Sequence, residues 1–181
     1  MTDNQRGPQT NADQKIHAKL RFALFDWGDT LMSEAGPLDI PMADWPEVRV
    51  IDGATEVLAQ LSKTYRIGLA TNATVSSKPD IERALKRVGL NAFITGIFCY
   101  TELGHKKDEP EFWEAVLARL GAHKSEVVMI GDSLEQDVLG PMRAGIRAIW
   151  FNWKGEHCPT PVSVPVVRSL REVAAAIEAD G

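Results

Sequence analysis

The feature that most constrains this chain is an alternation of short apolar runs with longer amphipathic segments. The runs at 21–25, 66–71, 97–100, 127–130 and 148–151 have strand length and are almost continuously apolar. Strands of that kind are buried on both faces, as in parallel sheets covered by helices. Helical periodicity fills the gaps between them, over 54–62, 80–88, 110–120, a shorter stretch near 137–144, and 170–179. Asp52 is placed to cap the first of these, Pro110 suits a first helical turn, and Gly89 and Gly121 stop the second and third. Strand alternating with helix predicts an α/β fold of Rossmann-like, three-layer form. Its sheet is expected to be mainly parallel, with about five strands.

The 181 residues suit one domain over 19–181, preceded by a polar lead-in at 1–18 that is expected to be disordered and does not look like a signal peptide. No apolar run reaches the length of a membrane span. The net charge of -5 and the lack of a basic stripe argue against nucleic acid as a partner. The densest basic stretch, ERALKR at 82–87, alternates its charges as a solvated helix face does. Cys99 and Cys158 lie 59 positions apart without metal-type spacing and are expected as reduced thiols in a cytoplasmic protein. The segment 33–50 carries three prolines and no period, so it is expected to form a structured loop or flap; 154–165 is likewise irregular.

Ligands of open α/β sheets bind beyond the carboxyl ends of the strands. The residues that follow each run therefore matter most. Asp26 and Asp29 follow the first, in FDWGDTL; Thr71 and Asn72 end the second, in LATNAT; Gly131, Asp132, Ser133 and Asp137 follow the fourth. Lys106 and Lys107 stand just before Pro110. Several carboxylates in one crevice repel unless a cation sits among them, and hard oxygens suit Mg²⁺. A lysine offsets the remaining charge, while a hydroxyl, an amide and backbone N–H groups can cradle phosphoryl oxygens. An aspartate beside a metal can also attack phosphorus.

The ordered set FDWGDTL, LATNAT, a lysine before DEPEFW, and VVMIGDSLEQDVLGPMRAGI resembles the haloacid dehalogenase-like hydrolase superfamily over residues 20 to 152. The last motif is its most specific part. The resemblance implies that Asp26 is the nucleophile and a Mg²⁺ ligand, with the Gly28 carbonyl as the next ligand. It implies Asp132 as the acidic ligand of the last motif and Asp137 as its partner, reaching the metal through water or holding the lysine. Thr71 corresponds to the phosphate-binding hydroxyl, with Asn72 beside it. The family's spacing, a lysine three residues before a proline, selects Lys107 over Lys106.

One departure bears on mechanism. Phosphatases of the family usually carry a second aspartate two positions after the nucleophile, as general acid and base. Here that position is Gly28. Asp29 either reaches in from a shifted turn or caps the turn, and capping is the expected role. The insert sizes imply a second feature: 45 positions separate Asp26 from Thr71, too few for a helical cap domain. A capless member has an open site, which accepts a macromolecular substrate or borrows a neighbouring subunit as a lid.

The expected activity is thus Mg²⁺-dependent hydrolysis of a phosphate monoester through an aspartyl-phosphate, on a small or macromolecular substrate. Two alternatives stand beside it: a weakly active or non-catalytic protein that binds phosphate and Mg²⁺, suggested by Gly28, and a dehalogenase-type hydrolase, disfavoured by the short loops and the Asp132/Asp137 pair. A receiver-type signalling domain has its Asp, Thr and Lys in a different strand order. Trp27, Trp150 and Trp153 are expected to pack, as are Trp45 and Pro46 over a sheet edge. No chemical role is expected for His105 or for His157 with Cys158.

Overall fold

The computed structural model describes residues 19–158 and 163–179; the lead-in at 1–18 lies outside them. In chain order the elements are β1 (Phe22–Phe25), α1 (Ala54–Leu61), β2 (Arg66–Thr71), α2 (Lys78–Arg87), β3 (Ile94–Cys99), α3 (Tyr100–Leu103), α4 (Pro110–Leu120) and β4 (Val127–Gly131). A π-helix (Leu134–Leu139) then leads into α5 (Gly140–Arg143), β5 (Arg147–Phe151), β6 (Val166–Val167) and α6 (Val173–Ala179).

All strand pairs are parallel, in the order β3-β2-β1-β4-β5-β6. The chain starts in the middle, builds outward through β2 and β3, then returns to build outward through β4, β5 and β6. The direction of winding therefore reverses between β1 and β4, and such a switch point leaves a crevice at the carboxyl ends of the two strands.

β1 shows why an uninterrupted apolar run was required. Ala23 and Phe25 join the cluster that includes Val57 and Leu58 of α1, Ile81 of α2 and Ile177 of α6. Phe22 and Leu24 join Phe112, Trp113 and Val116 of α4 on the other face. Alternate residues of a strand point to opposite faces, so a central strand covered on both sides must be apolar throughout.

The sheet has six strands rather than about five. β6 is only two residues long, too short to carry a period, and it follows the irregular stretch 154–165. The strand expected at 97–100 runs over Ile94–Cys99, because its first half, with Thr95 and Gly96, lies on the less buried edge and shows no apolar run; Tyr100 already begins α3. Asp52 does not cap α1. Gly53 takes that position at φ 84, in the left-handed region open to glycine, and Asp52 instead pairs with Arg171 at 2.5 Å. Gly121 ends α4 as expected, at φ 59.

The segment 33–50 forms a flap whose one regular piece is a single 3₁₀ turn, Met42–Asp44. It docks on α2: the Arg87 guanidinium donates to the carbonyls of Ala43 (3.0 Å), Trp45 (2.6 Å) and Pro46 (3.2 Å). Trp45 is buried, with its indole N–H on the Ile40 carbonyl at 3.1 Å. Among the described residues, no helix is long and apolar enough to cross a membrane.

Candidate active site

The crevice between β1 and β4 holds the residues that the motifs single out. Asp26 remains tied to the sheet, its N–H donating to the Ile130 carbonyl of β4 at 2.9 Å. The chain then turns sharply. The N–H groups of Leu31 and Met32 return to the Trp27 carbonyl at 3.0 and 2.9 Å, and Trp27 packs inward with its indole N–H on the Met32 sulfur at 3.2 Å. Asp29 occupies the left-handed region (φ 51), which a short acidic side chain tolerates. Its Oδ1 accepts the Glu34 N–H at 2.9 Å and its Oδ2 the Lys154 ammonium at 3.1 Å. Asp29 therefore holds the turn and the start of the flap, as expected of a cap.

Lys107 is the centre of the site and is 1% exposed. Its Nζ donates to Asp26 Oδ1 at 2.5 Å and to Asp137 Oδ1 at 2.6 Å. Its backbone is clamped as well. The N–H donates to Asn72 Oδ1 at 2.9 Å, and the carbonyl accepts the Trp113 indole N–H at 2.6 Å. Lys106 points elsewhere, with its ammonium 5.8 Å from the centre of the Tyr100 ring. His105 sits on the surface beside Glu109 at 3.4 Å.

The loop after β4 delivers the other acids. Asp132 is fixed at both backbone ends: its N–H donates to Thr30 Oγ1 at 3.2 Å, and its carbonyl accepts the Trp150 indole N–H at 2.9 Å. Asp132 Oδ2 accepts from Lys154 at 3.0 Å. Asp137 lies within the π-helix, a local widening of the helical ladder common at functional sites. It is fully buried, its Oδ2 taking the Ser133 N–H at 3.0 Å. Glycines make the room. A Cβ on Gly131 would collide with the Asp137 carboxylate, and one on Gly140 with the Lys107 carbonyl.

Thr71 and Asn72 close the crevice from β2. Thr71 is buried, and its Oγ1 accepts the Ala73 N–H at 3.2 Å; a hydroxyl that accepts in this way still has a proton to donate. The Asn72 amide is engaged at both ends, by the Lys107 N–H and by Gln136 Oε1 at 3.0 Å, so its side chain positions the lysine loop while the residue also lines the pocket.

Charge is concentrated here. Burial opposes the charge of Lys107, but Asp137 and Asp26 outweigh it and hold the ammonium above its ordinary value. One cation between two carboxylates leaves excess negative charge. Burial first, then Asp26, pushes Asp137 upward against the pull of Lys107. Burial also raises Asp132, helped by Asp26 and Asp29 and opposed by Lys154. Glu34 is an exposed residue whose carboxyl end turns in over Gly28. Burial of that end and the charges of Asp26, Asp29 and Asp132 raise it too.

Asp26, Asp132 and Asp137 can each offer a carboxylate oxygen, and these atoms lie within 4.8 Å of one another. This compact set of hard oxygens fits Mg²⁺. A pocket of about 440 Å³ opens over it, with Leu38, Ile40, Met42 and Trp45 of the flap forming one wall. Thr30, Glu34, Trp113, Gln136, Trp150 and Lys154 also shape the site; Thr30, Trp113 and Gln136 lie within the motifs but were given no role there, and Glu34, Trp150 and Lys154 lie outside them. Of the residues outside the motifs, only Glu34 had any sequence signal, as an acidic residue close to Asp26.

A parallel sheet with its winding reversal at a carboxylate–lysine cluster defines an α/β protein of Rossmann-like form with an acidic crevice at its switch point. The chain belongs to the haloacid dehalogenase-like hydrolase family, whose model matches residues 40–151. It is 32% identical over 121 residues to the phosphoserine phosphatase of Thermus thermophilus, covering 65% of this chain and 48% of that one. The chain thus spans about half the length of the curated relatives that it matches first. A solved structure of an uncharacterized Listeria monocytogenes serotype 4b protein superposes with a TM-score of 0.80 at 26% identity, covering 88% of this chain and 98% of that one. The putative hydrolase YfnB of Bacillus subtilis, solved bound to magnesium, shares the fold at TM-score 0.73 and 18% identity, covering 87% and 98%.

Proposed function

We propose that this chain hydrolyses a phosphate monoester with Mg²⁺, through an aspartyl-phosphate formed on Asp26. The observation that carries the reading is the buried Lys107 ammonium held between Asp26 and Asp137 beneath the switch-point crevice. A buried cation shared by two carboxylates that both line a pocket suits phosphoryl transfer, where catalysis is mainly positioning and charge neutralisation. The named phosphatase among the relatives supports the same reading.

Asp26, the Gly28 carbonyl and Asp132 would hold the metal, with Asp137 completing the acidic group. Bound there, Mg²⁺ supplies positive charge to the phosphoryl oxygens. Lys107 has three N–H donors, of which two are engaged, so the third can hold a phosphoryl oxygen beside the Thr71 hydroxyl. Lys107 also fixes Asp26 Oδ1, which leaves Oδ2, bonded to no donor among the described residues, to attack phosphorus. The P–O bond to the leaving group breaks as the Asp26–phosphorus bond forms, and water then hydrolyses the aspartyl-phosphate. The flap holds no helical bundle, so the open pocket admits a small ester or a phosphorylated macromolecule and leaves space for a neighbouring subunit as a lid.

With Mg²⁺, the purified protein is expected to hydrolyse p-nitrophenyl phosphate, and Asp26→Asn to reduce the rate by more than about 10³-fold. Equal inertness of wild type and Asp26→Asn across a panel of phosphate esters would remove the hydrolase reading.

A further inference from the structure

An alcohol leaving a phosphate monoester departs as an alkoxide unless a proton reaches it as the bond breaks. Four carboxylates line the pocket: Asp26, Glu34, Asp132 and Asp137. Lys107 binds Asp26 and Asp137, and Lys154 binds Asp132. Only the Glu34 carboxylate has no bonded donor among the described residues.

Its position is specific. A Cβ built on Gly28, two residues after Asp26, would run into the Oε1, Cδ and Cγ atoms of Glu34. The Glu34 carboxyl group thus fills the space that a side chain at position 28 would occupy. The backbone around it is pinned. The Glu34 N–H donates to Asp29 Oδ1 at 2.9 Å, the Ser33 N–H to the Arg49 carbonyl at 2.9 Å, and the Gly36 N–H to the Glu34 carbonyl at 2.8 Å. The acid displaced from position 28 to position 29 therefore anchors another acid over the gap.

We propose that Glu34 is the catalytic proton donor to the leaving group, and then the base that takes a proton from the hydrolytic water. This rests on the phosphatase reading of the site. In the first step Asp26 bonds to phosphorus and the P–O bond to the alcohol breaks. Its electron pair goes to the leaving oxygen, which takes the Glu34 proton and departs as the alcohol. In the second step water bonds to phosphorus and gives a proton to the Glu34 carboxylate. The bond from Asp26 to phosphorus breaks, and its electrons return to the Asp26 carboxylate, releasing phosphate. Glu34 is again protonated, and no further reactant is needed.

The test uses the full chain with Mg²⁺ and two esters. The p-nitrophenolate of p-nitrophenyl phosphate leaves without a proton, whereas the alkoxide of glycerol 2-phosphate needs one. Glu34→Gln should lower kcat/KM on glycerol 2-phosphate by about 10²- to 10⁴-fold and on p-nitrophenyl phosphate by less than about tenfold. Mn²⁺ affinity, read by electron paramagnetic resonance, should not change. Equal losses on the two esters, no loss on glycerol 2-phosphate, a wild type active on the aryl ester alone, or lost Mn²⁺ affinity would each overturn the proposal. Asp26→Asn separates the two levels. If wild type is no faster than Asp26→Asn on either ester, the phosphatase reading falls and takes this role with it. If wild type is faster but Glu34→Gln matches it on both, only the role of Glu34 falls.

Discussion

Lys107 shows how much one buried charge can organise. Its ammonium has left water entirely, and two carboxylates compensate it. Removing one partner of such a group leaves the others buried without compensation, which costs about 3–5 kcal/mol. Lys107→Met is therefore expected to lower stability by about that amount at neutral pH in urea titrations. The loss should shrink in acid, because burial has already pushed Asp137 toward its neutral form and protonation removes the repulsion. The identity of this lysine was legible through the family resemblance, whose lysine stands three residues before a proline as Lys107 does before Pro110. Its clamps were not: Trp113, six residues on, and Asn72, 35 residues back, reach it only in the folded chain. Gly28 is the reverse case, since the sequence shows what is missing there while the fold shows that Glu34 fills the gap.

At the scale of elements, caps and close approaches matter more than helix propensity. The start of α2 is fastened by Asp80, whose Oδ2 accepts both the N–H and the hydroxyl of Ser77, and whose Oδ1 pairs with Arg83. The Arg83 bond, then the Ser77 bonds, hold Asp80 down at about 2. A carboxyl that titrates lower in the folded state stabilises it above the unfolded value, near 4, and that contribution is lost as pH falls toward about 2. Asp80→Ala is expected to flatten the acid side of the stability profile between about pH 4 and 2 in urea titrations. Gly140 makes a tighter demand. The carbonyl that a Cβ would meet belongs to Lys107, fixed backbone rather than a flexible side-chain end. Gly140→Ala should therefore cost about 1–3 kcal/mol, again by denaturation, and lower turnover by displacing the lysine. Both glycines beside Asp137 lay in a readable motif, but the π-helix between them did not, because its wider hydrogen-bond ladder leaves no mark on apolar periodicity.

For the whole molecule, the order of the strands decides the function. Asp26 and Asp132 are 106 residues apart in sequence, yet become neighbours because β1 pairs with β4. The same winding lays the flap over α2, where one guanidinium holds three of its carbonyls. Hydrogen bonds to charged groups contribute about 1.5–3 kcal/mol each. Arg87→Ala is expected to raise amide exchange over residues 42–46 by at least about tenfold while the sheet stays protected, and to raise KM more than it lowers kcat. Hydrogen–deuterium exchange with kinetics on p-nitrophenyl phosphate would show both; unchanged exchange would mean that the flap does not depend on Arg87.

By itself the sequence determined the layered parallel architecture, the boundaries of β2 and α4, and the ordered set Asp26, Thr71, Lys107, Asp132 and Asp137. The architecture and boundaries are local properties, apolar period and helix punctuation; the set comes from polar residues placed just beyond strands and, for Lys107, from the family resemblance. Only the tertiary structure decided that Asn72 serves the lysine loop, that Thr30 and Trp150 hold Asp132, and that Glu34 turns in over Gly28. These depend on contacts between segments that are distant in sequence or that lack periodicity. A side chain's partner across the sheet is set by strand order and packing, and neither is written in the residues on either side of it.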